Sequence, residues 1–148
     1  MSALVIDASI TLSWLLPDEA SAVAIAVRDD DLLNAEAVWV PAHRRLEVCN
    51  SLWMAERRKR LDATGVTQAA DLFLKIPVTI DPDTNDRVGR ETLALARQHA
   101  LSVYDAAYLE LVLRRGAALA SLDVPLRLVA KKLEVSVLPQ KLPEDSQA

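Results

Sequence analysis

The chain has 148 residues, the usual size of one domain, with 51% hydrophobic residues, 4% aromatics and a net charge of -4. One cysteine and two histidines exclude an internal disulfide and speak against a classical zinc site. No stretch reaches the ~20 apolar residues of a membrane span, and the acidic balance counts against a module that binds nucleic acid by charge alone, though not against an enzyme whose carboxylates hold divalent cations.

Met1 to Ile6 carries no basic segment and runs straight into a strand, Leu4–Ile6, so no signal peptide is expected. Helices are expected over Ser9–Leu16 and Glu19–Asp30, separated at Pro17. Ala37–Val40 reads as a second strand stopped by Pro41, and a helix follows from about Ala42 to Arg60. Asp62-Ala-Thr-Gly65 reads as a turn and Thr67–Lys75 as a helix. Pro77–Ile80 is a third strand, closed by Asp81-Pro82-Asp83, with helices over Thr84–Ala100 and Val103–Arg115 behind it. Ala117–Leu122 is a fourth strand, Leu126–Leu133 a helix and Val135–Leu138 a fifth strand. Pro139–Ala148, polar and proline-containing, reads as a loose tail after a single domain spanning 1–138. The lone Cys49 sits in an apolar helical stretch and reads as a buried thiol in a reducing cytoplasm.

Strands alternating with helices argue for an α/β fold, a mostly parallel sheet of about five strands covered on both faces. Ligands in such sheets bind at the carboxyl ends of the strands. Asp7 ends the first strand and Asp123 the fourth, each followed or preceded by a small hydroxyl-bearing turn containing Ser9 or Ser121. Each acid also suits a helix N-cap. If their strands are neighbours, both face one crevice, where two carboxylates repel unless a cation or proton intervenes. Glu47 interrupts an apolar helical segment and shares a face with Asn50, with a salt bridge to Arg44 or Arg45 as the plain alternative. Asp105 follows Ser102 at capping-box spacing. Four such acids in a fold whose chemistry belongs at one sheet edge suit Mg²⁺ or Mn²⁺.

In order and context these residues resemble the PIN-domain ribonucleases, in particular the VapC-type toxins. The matching pieces are the strand ending Asp7-Ala8-Ser9, the Pro41-led helix with Glu47 and Asn50, the segment Ser-Val-Tyr-Asp105-Ala-Ala-Tyr, and the strand ending Ala-Ser-Leu-Asp123. The resemblance spans residues 3 to 138 and implies a three-layer α/β/α sandwich. It implies that Asp7, Glu47, Asp105 and Asp123 are both the metal ligands and the catalytic acids. Ser9 and Ser121 would orient carboxylates, and Asn50 would assist them. It further implies Mg²⁺-dependent hydrolysis of RNA to a 5′-phosphate and a 3′-hydroxyl, a small antitoxin that blocks the site, and a homodimer or a larger toxin–antitoxin assembly. Val124-Pro125 after Asp123 departs from the family's polar or basic residues there. Arg44, Arg45 and the run Arg57-Arg58-Lys59-Arg60 are candidate contacts for flanking phosphates, although such a run also suits a solvated helix end. Trp14 and Trp53 read as core-packing residues, with a partner surface on their amphipathic helices as the alternative. Two other readings are a PIN-like binding protein without catalysis and a receiver-like signalling domain, in which Asp81 would be the phosphoacceptor.

Overall fold

A computed structural model of the chain describes residues 3–142. Within it, β1 (Ala3–Ile6), β2 (Ala37–Val40), β3 (Thr79–Ile80), β4 (Ala118–Ala120) and β5 (Val137–Leu138) form one sheet in the order β3-β2-β1-β4-β5. Every pairing is parallel, and β1 lies at the centre, with Leu4 opposite Val38 on one side and Ala118 on the other. Its uninterrupted apolar run follows from that place, since a central parallel strand is covered on both faces and Leu4, Val5 and Ile6 are all fully buried.

Alternation along β1 divides the core. Leu4 and Ile6 pack with Ile10 of α1 (Ala8–Leu15) and with Ala24 and Val27 from α2 (Ala22–Ala26) and the π-helical turn Val27–Leu32 that continues it. Val5 faces the other layer, where it packs with Leu109 and Val112 of α7 (Val103–Arg115) and Leu126 of α8 (Val124–Lys132). A third cluster, Leu16, Val48, Leu52, Ala55, Ala69 and Phe73, joins α3 (Arg44–Arg57) and α4 (Ala63–Leu74) to the end of α1. Two helical layers on a parallel sheet make the three-layer sandwich expected from the sequence.

Some boundaries differ for local reasons. The second helix starts at Ala22 rather than Glu19, because Pro17–Glu19 forms a 3₁₀ turn and Ser21 accepts a hydrogen bond from the Ala24 amide. Asp62-Ala-Thr-Gly65 is no free turn but the first turn of α4, with Asp62 Oδ1 accepting from the Gly65 amide at 2.7 Å. Thr84–Ala100 is helical as α5 (Thr84–Arg87), a π-helical turn Val88–Thr92 and α6 (Leu93–His99), closed by Ala100 in the left-handed region at φ 54°. The third, fourth and fifth strands are shorter than expected. Of the expected tail, 143–148 lie outside the described residues.

Two assignments of burial are corrected. Cys49 and Trp53 are exposed, Trp53 by 51%. Helix α3 turns a stripe inward that runs through Arg44, Val48, Leu52 and Ala55 at intervals of three and four residues, leaving Cys49 and Trp53 outside it. Trp14, by contrast, packs against the core and donates from Nε1 to the Ala24 carbonyl at 2.7 Å.

Candidate metal centre at the switch point of the sheet

From β1 the chain builds β2 and β3 to one side, then returns to place β4 on the other side of β1. Such a reversal opens a crevice beyond the carboxyl ends of the two strands. Asp7 leaves β1 directly into this crevice, its amide donating to the Ala120 carbonyl at 3.1 Å. Asp123 follows β4 after Ser121 and Leu122.

Capping and site-building are combined in these acids. Asp7 Oδ1 accepts from the Ile10 amide at 3.0 Å, which caps α1, and from the Ser9 hydroxyl at 2.7 Å. Its Oδ2 accepts from the Ser121 hydroxyl at 2.5 Å. Ser121 Oγ in turn accepts from the Asp123 amide at 3.0 Å, and Ser9 Oγ from the Leu122 amide at 2.8 Å. The two hydroxyls thus clasp the ends of β1 and β4 together. Asp123 Oδ2 caps α8 through the Leu126 amide at 3.0 Å, and Pro125 sits in that first turn, where its missing N–H costs nothing. The Val124-Pro125 departure therefore leaves Asp123 held as a cap.

Asp105 lies in the first turn of α7, where its amide donates to the Ser102 hydroxyl at 3.0 Å. On α3, Glu47 Oε1 accepts from the Tyr108 hydroxyl at 2.7 Å, which ties it to α7. His43 Nε2 lies 3.2 Å from the same oxygen, close enough for an ion contact but not aligned for a hydrogen bond. Asn50 is exposed and shares a cleft with Glu47.

The acids feel one another's charge. Burial pushes the Asp7 carboxyl up to about 6; hydrogen bonds from Ser121, Ile10 and Ser9 oppose this, and the Asp123 charge adds to it. Asp105 is also raised, by burial first and then by Asp123 and Glu47. Among the described residues, no Lys or Arg ion pair neutralises Asp7, Asp105 or Asp123. Equally, no group of three His, Cys, Asp or Glu side chains among those residues is gathered tightly enough to hold a metal ion. The oxygen-only donor set and its uncompensated charge fit a hard divalent cation, but the ligands do not form a closed cage.

Sequence reasoning missed several supports. Tyr108 gives Glu47 its hydrogen bond, and the motif Asp105-Ala-Ala-Tyr108 was the available signal, since it puts both residues on the exposed-to-buried edge of one helix. Arg44 is 1% exposed and so contacts no flanking phosphate; it donates to the Thr11 hydroxyl at 3.0 Å and lies 4.9 Å from the centre of the Phe73 ring. Thr11 donates to the Asp7 backbone carbonyl at 2.7 Å, linking α3 to the site through buried atoms. Arg60 is likewise occupied, by Asp18 and Glu19. The receiver-like reading loses its phosphoacceptor, because Asp81 is bound by Arg114 and Arg115 at 2.6 and 3.0 Å.

The sheet order, the two helical layers and the acids at the switch point define an α/β/α domain with carboxylates at the carboxyl edge of its sheet. The chain belongs to the PIN-domain family, whose model matches residues 4–132. It is 29% identical over 136 residues to Ribonuclease VapC3 of Pyrobaculum aerophilum, covering 92% of this chain and 98% of that protein. The crystal structure of PAE2754 from the same organism superposes with a TM-score of 0.65 at 21% identity, covering 92% of this chain and 83% of that one. A VapBC2 structure from Rickettsia felis, bound to a DNA fragment from its promoter, gives 0.60 at 10% identity, covering 91% and 96%.

Proposed function

We propose that the chain is a divalent-cation-dependent endoribonuclease and the toxin of a toxin–antitoxin pair. The observation that carries this reading is the clasp Asp7–Ser121–Asp123 at the switch point, with Asp105, which has no Lys or Arg ion pair among the described residues, and Glu47 beside it. Asp7, Glu47, Asp105 and Asp123 would hold Mg²⁺ or Mn²⁺. When bound, such a cation supplies Lewis-acid polarisation of the phosphodiester and acidifies a water for attack. Ser9 and Ser121 fix the Asp7 carboxylate by donating to both of its oxygens, so it is oriented before substrate arrives. Tyr108 does the same for Glu47. Asn50 stands beside Glu47 with an amide available to substrate.

RNA as substrate is supported by the likeness to Ribonuclease VapC3, and a small antitoxin partner by the likeness of fold to the VapBC2 complex. A homodimer is supported by apolar side chains that the core leaves outside, Trp53 on α3 and Leu72 and Leu74 around the end of α4. No helix of the described residues is long and apolar enough to cross a membrane, and a cytoplasmic location belongs to the same proposal.

A nuclease assay on single-stranded and structured RNA tests it, with and without EDTA and with wild type and Asp7→Asn. The expected result is cleavage that needs Mg²⁺ or Mn²⁺ and is lost in the variant. Equal cleavage by the two proteins, or cleavage that survives EDTA, would contradict it.

A further inference from the structure

Beside the acids a cleft of about 440 Å³ opens between the start of α3 and the start of α7, within the range of small-molecule sites. Its walls include His43, Leu46, Asn50 and Tyr104, and Glu47 belongs both to it and to the acidic centre. Tyr104 is 62% exposed and Leu46 78%, so neither is spent on the core. The aromatic wall is nevertheless held in place. Tyr108 is fixed by its bond to Glu47, His43 stands edge-on to it with centroids 5.2 Å apart, and Tyr104 leans on His43 at 5.7 Å.

The chemistry of the walls selects the occupant. No Lys or Arg lines the cleft, and its charged side chain is the anionic Glu47, so a phosphate is disfavoured there. A neutral planar group suits it. Tyr104 offers a ring face, Leu46 an apolar flank and Asn50 an amide that both donates and accepts at an edge. A nucleobase has a π-face and a hydrogen-bonding edge in this arrangement, and single-stranded RNA is read in this way, by stacking and edge contacts.

We propose that this cleft is a nucleobase subsite, receiving one unpaired base next to the phosphate that the acids address, with Tyr104 as stacking platform and Asn50 reading the base edge. The proposal rests on the ribonuclease reading. Because Glu47 joins cleft and acids, a strand whose phosphate meets the acids delivers an adjacent base to Tyr104.

The test is equilibrium binding of the full chain to fluorescently labelled single-stranded oligoribonucleotides in Ca²⁺ buffer, with one abasic residue placed at each position in turn, and cleavage in Mg²⁺ measured in parallel. For wild type, one abasic position weakens binding by about 5- to 100-fold, the loss of one stacked base. Tyr104→Ala weakens the intact oligonucleotide by a similar factor and becomes indifferent to that position. Tyr104→Phe recovers most of the loss, and Asn50→Ala changes which base is preferred there. In cleavage the effect falls on KM more than on kcat. Circular dichroism checks that the variants remain folded, as expected for exposed positions.

Wild-type affinity in Tyr104→Ala, or an abasic effect that persists undiminished in it, overturns the subsite. So does the absence of binding to any oligonucleotide, or a Tyr104 requirement confined to capture of a protein partner. Binding with the abasic signature but no cleavage leaves the subsite standing and removes the ribonuclease reading; cleavage indifferent to Tyr104 does the reverse.

Discussion

Asp7 shows how a strand-end acid can cap a helix and still keep an acceptor position: its Oδ1 is taken by Ser9 and the Ile10 amide, while Oδ2 accepts from Ser121 and has a lone pair to spare. Its pKa rises from 3.8 to about 6, chiefly through burial. The folded protein therefore binds this proton more tightly than the unfolded chain does. The resulting stability is fully present below about pH 4 and is lost as pH rises through 6. At neutral pH the ionised carboxylate costs folding on the order of 3 kcal/mol in the absence of a bound cation. Asp7→Asn should therefore unfold at higher urea than wild type at pH 8, with the gap closing near pH 4 and narrowing when Mg²⁺ is added to wild type. A lower midpoint at pH 8 would contradict this. Ser121→Ala removes one donor from Asp7 and one acceptor from the Asp123 amide, and should weaken activity and Mn²⁺ affinity by about 10- to 100-fold. It should destabilise the fold by about 1–2 kcal/mol, measured by urea denaturation.

At the scale of elements, the helices α3 and α7 present two of the acids, and each is docked by arginine. Burial lowers the Arg44 guanidinium to about 10, which leaves it charged at neutral pH. It has no carboxylate ion pair among the described residues. Buried charges of this kind can be replaced by an apolar side chain of similar length at little or no cost. Arg44→Met should keep its melting temperature, whereas Arg44→Ala should lose about 2–4 kcal/mol by leaving a cavity. Just past the carboxyl end of the edge strand β3, Arg114 and Arg115 converge on Asp81, and Arg115 also stacks on Trp39 at 3.6 Å from the ring centre. Burial alone would raise Asp81, but hydrogen bonds from Arg114, Arg115 and Thr84 outweigh it and hold the carboxyl well below the usual carboxylate range. Its stabilising effect is therefore present above the ordinary Asp pKa and is lost only in stronger acid. Asp81→Ala should destabilise by about 3 kcal/mol, because it strips two guanidinium groups of one partner; an unchanged urea midpoint would contradict that.

The elements also show what was legible beforehand. Ala37–Val40 stands where the sequence put it because Pro41 ends it without ambiguity. The start of α4 differs from expectation because Asp and Gly serve turns and N-caps alike, and only the geometry at Asp62 separates them. Cys49 and Trp53 are exposed against expectation because apolar residues on α3 cover more than one face, and tertiary contact chooses the narrower stripe through Arg44. Acids at strand ends could be found from position alone. Of their supports, Thr11 lies four residues from Asp7, but Tyr108 reaches Glu47 from 61 positions away and Arg44 reaches Thr11 from 33, pairings that only the tertiary fold sets.

At the scale of the whole molecule, a parallel sheet whose order reverses beside β1 places an acidic crevice on a protein that is already acidic, with a net charge of -4. Four carboxylates in one field, without a Lys or Arg ion pair on the three aspartates among the described residues, raise the free energy of the empty site and lower it on cation binding. The most direct measurement is anomalous diffraction from a crystal of the wild-type protein grown with Mn²⁺. The account predicts a peak in the crevice between the ends of β1 and β4, within about 2–2.5 Å of oxygens from Asp7 and at least two of Glu47, Asp105 and Asp123. Ordered manganese elsewhere on the protein, with that crevice bare at saturating metal, would contradict it.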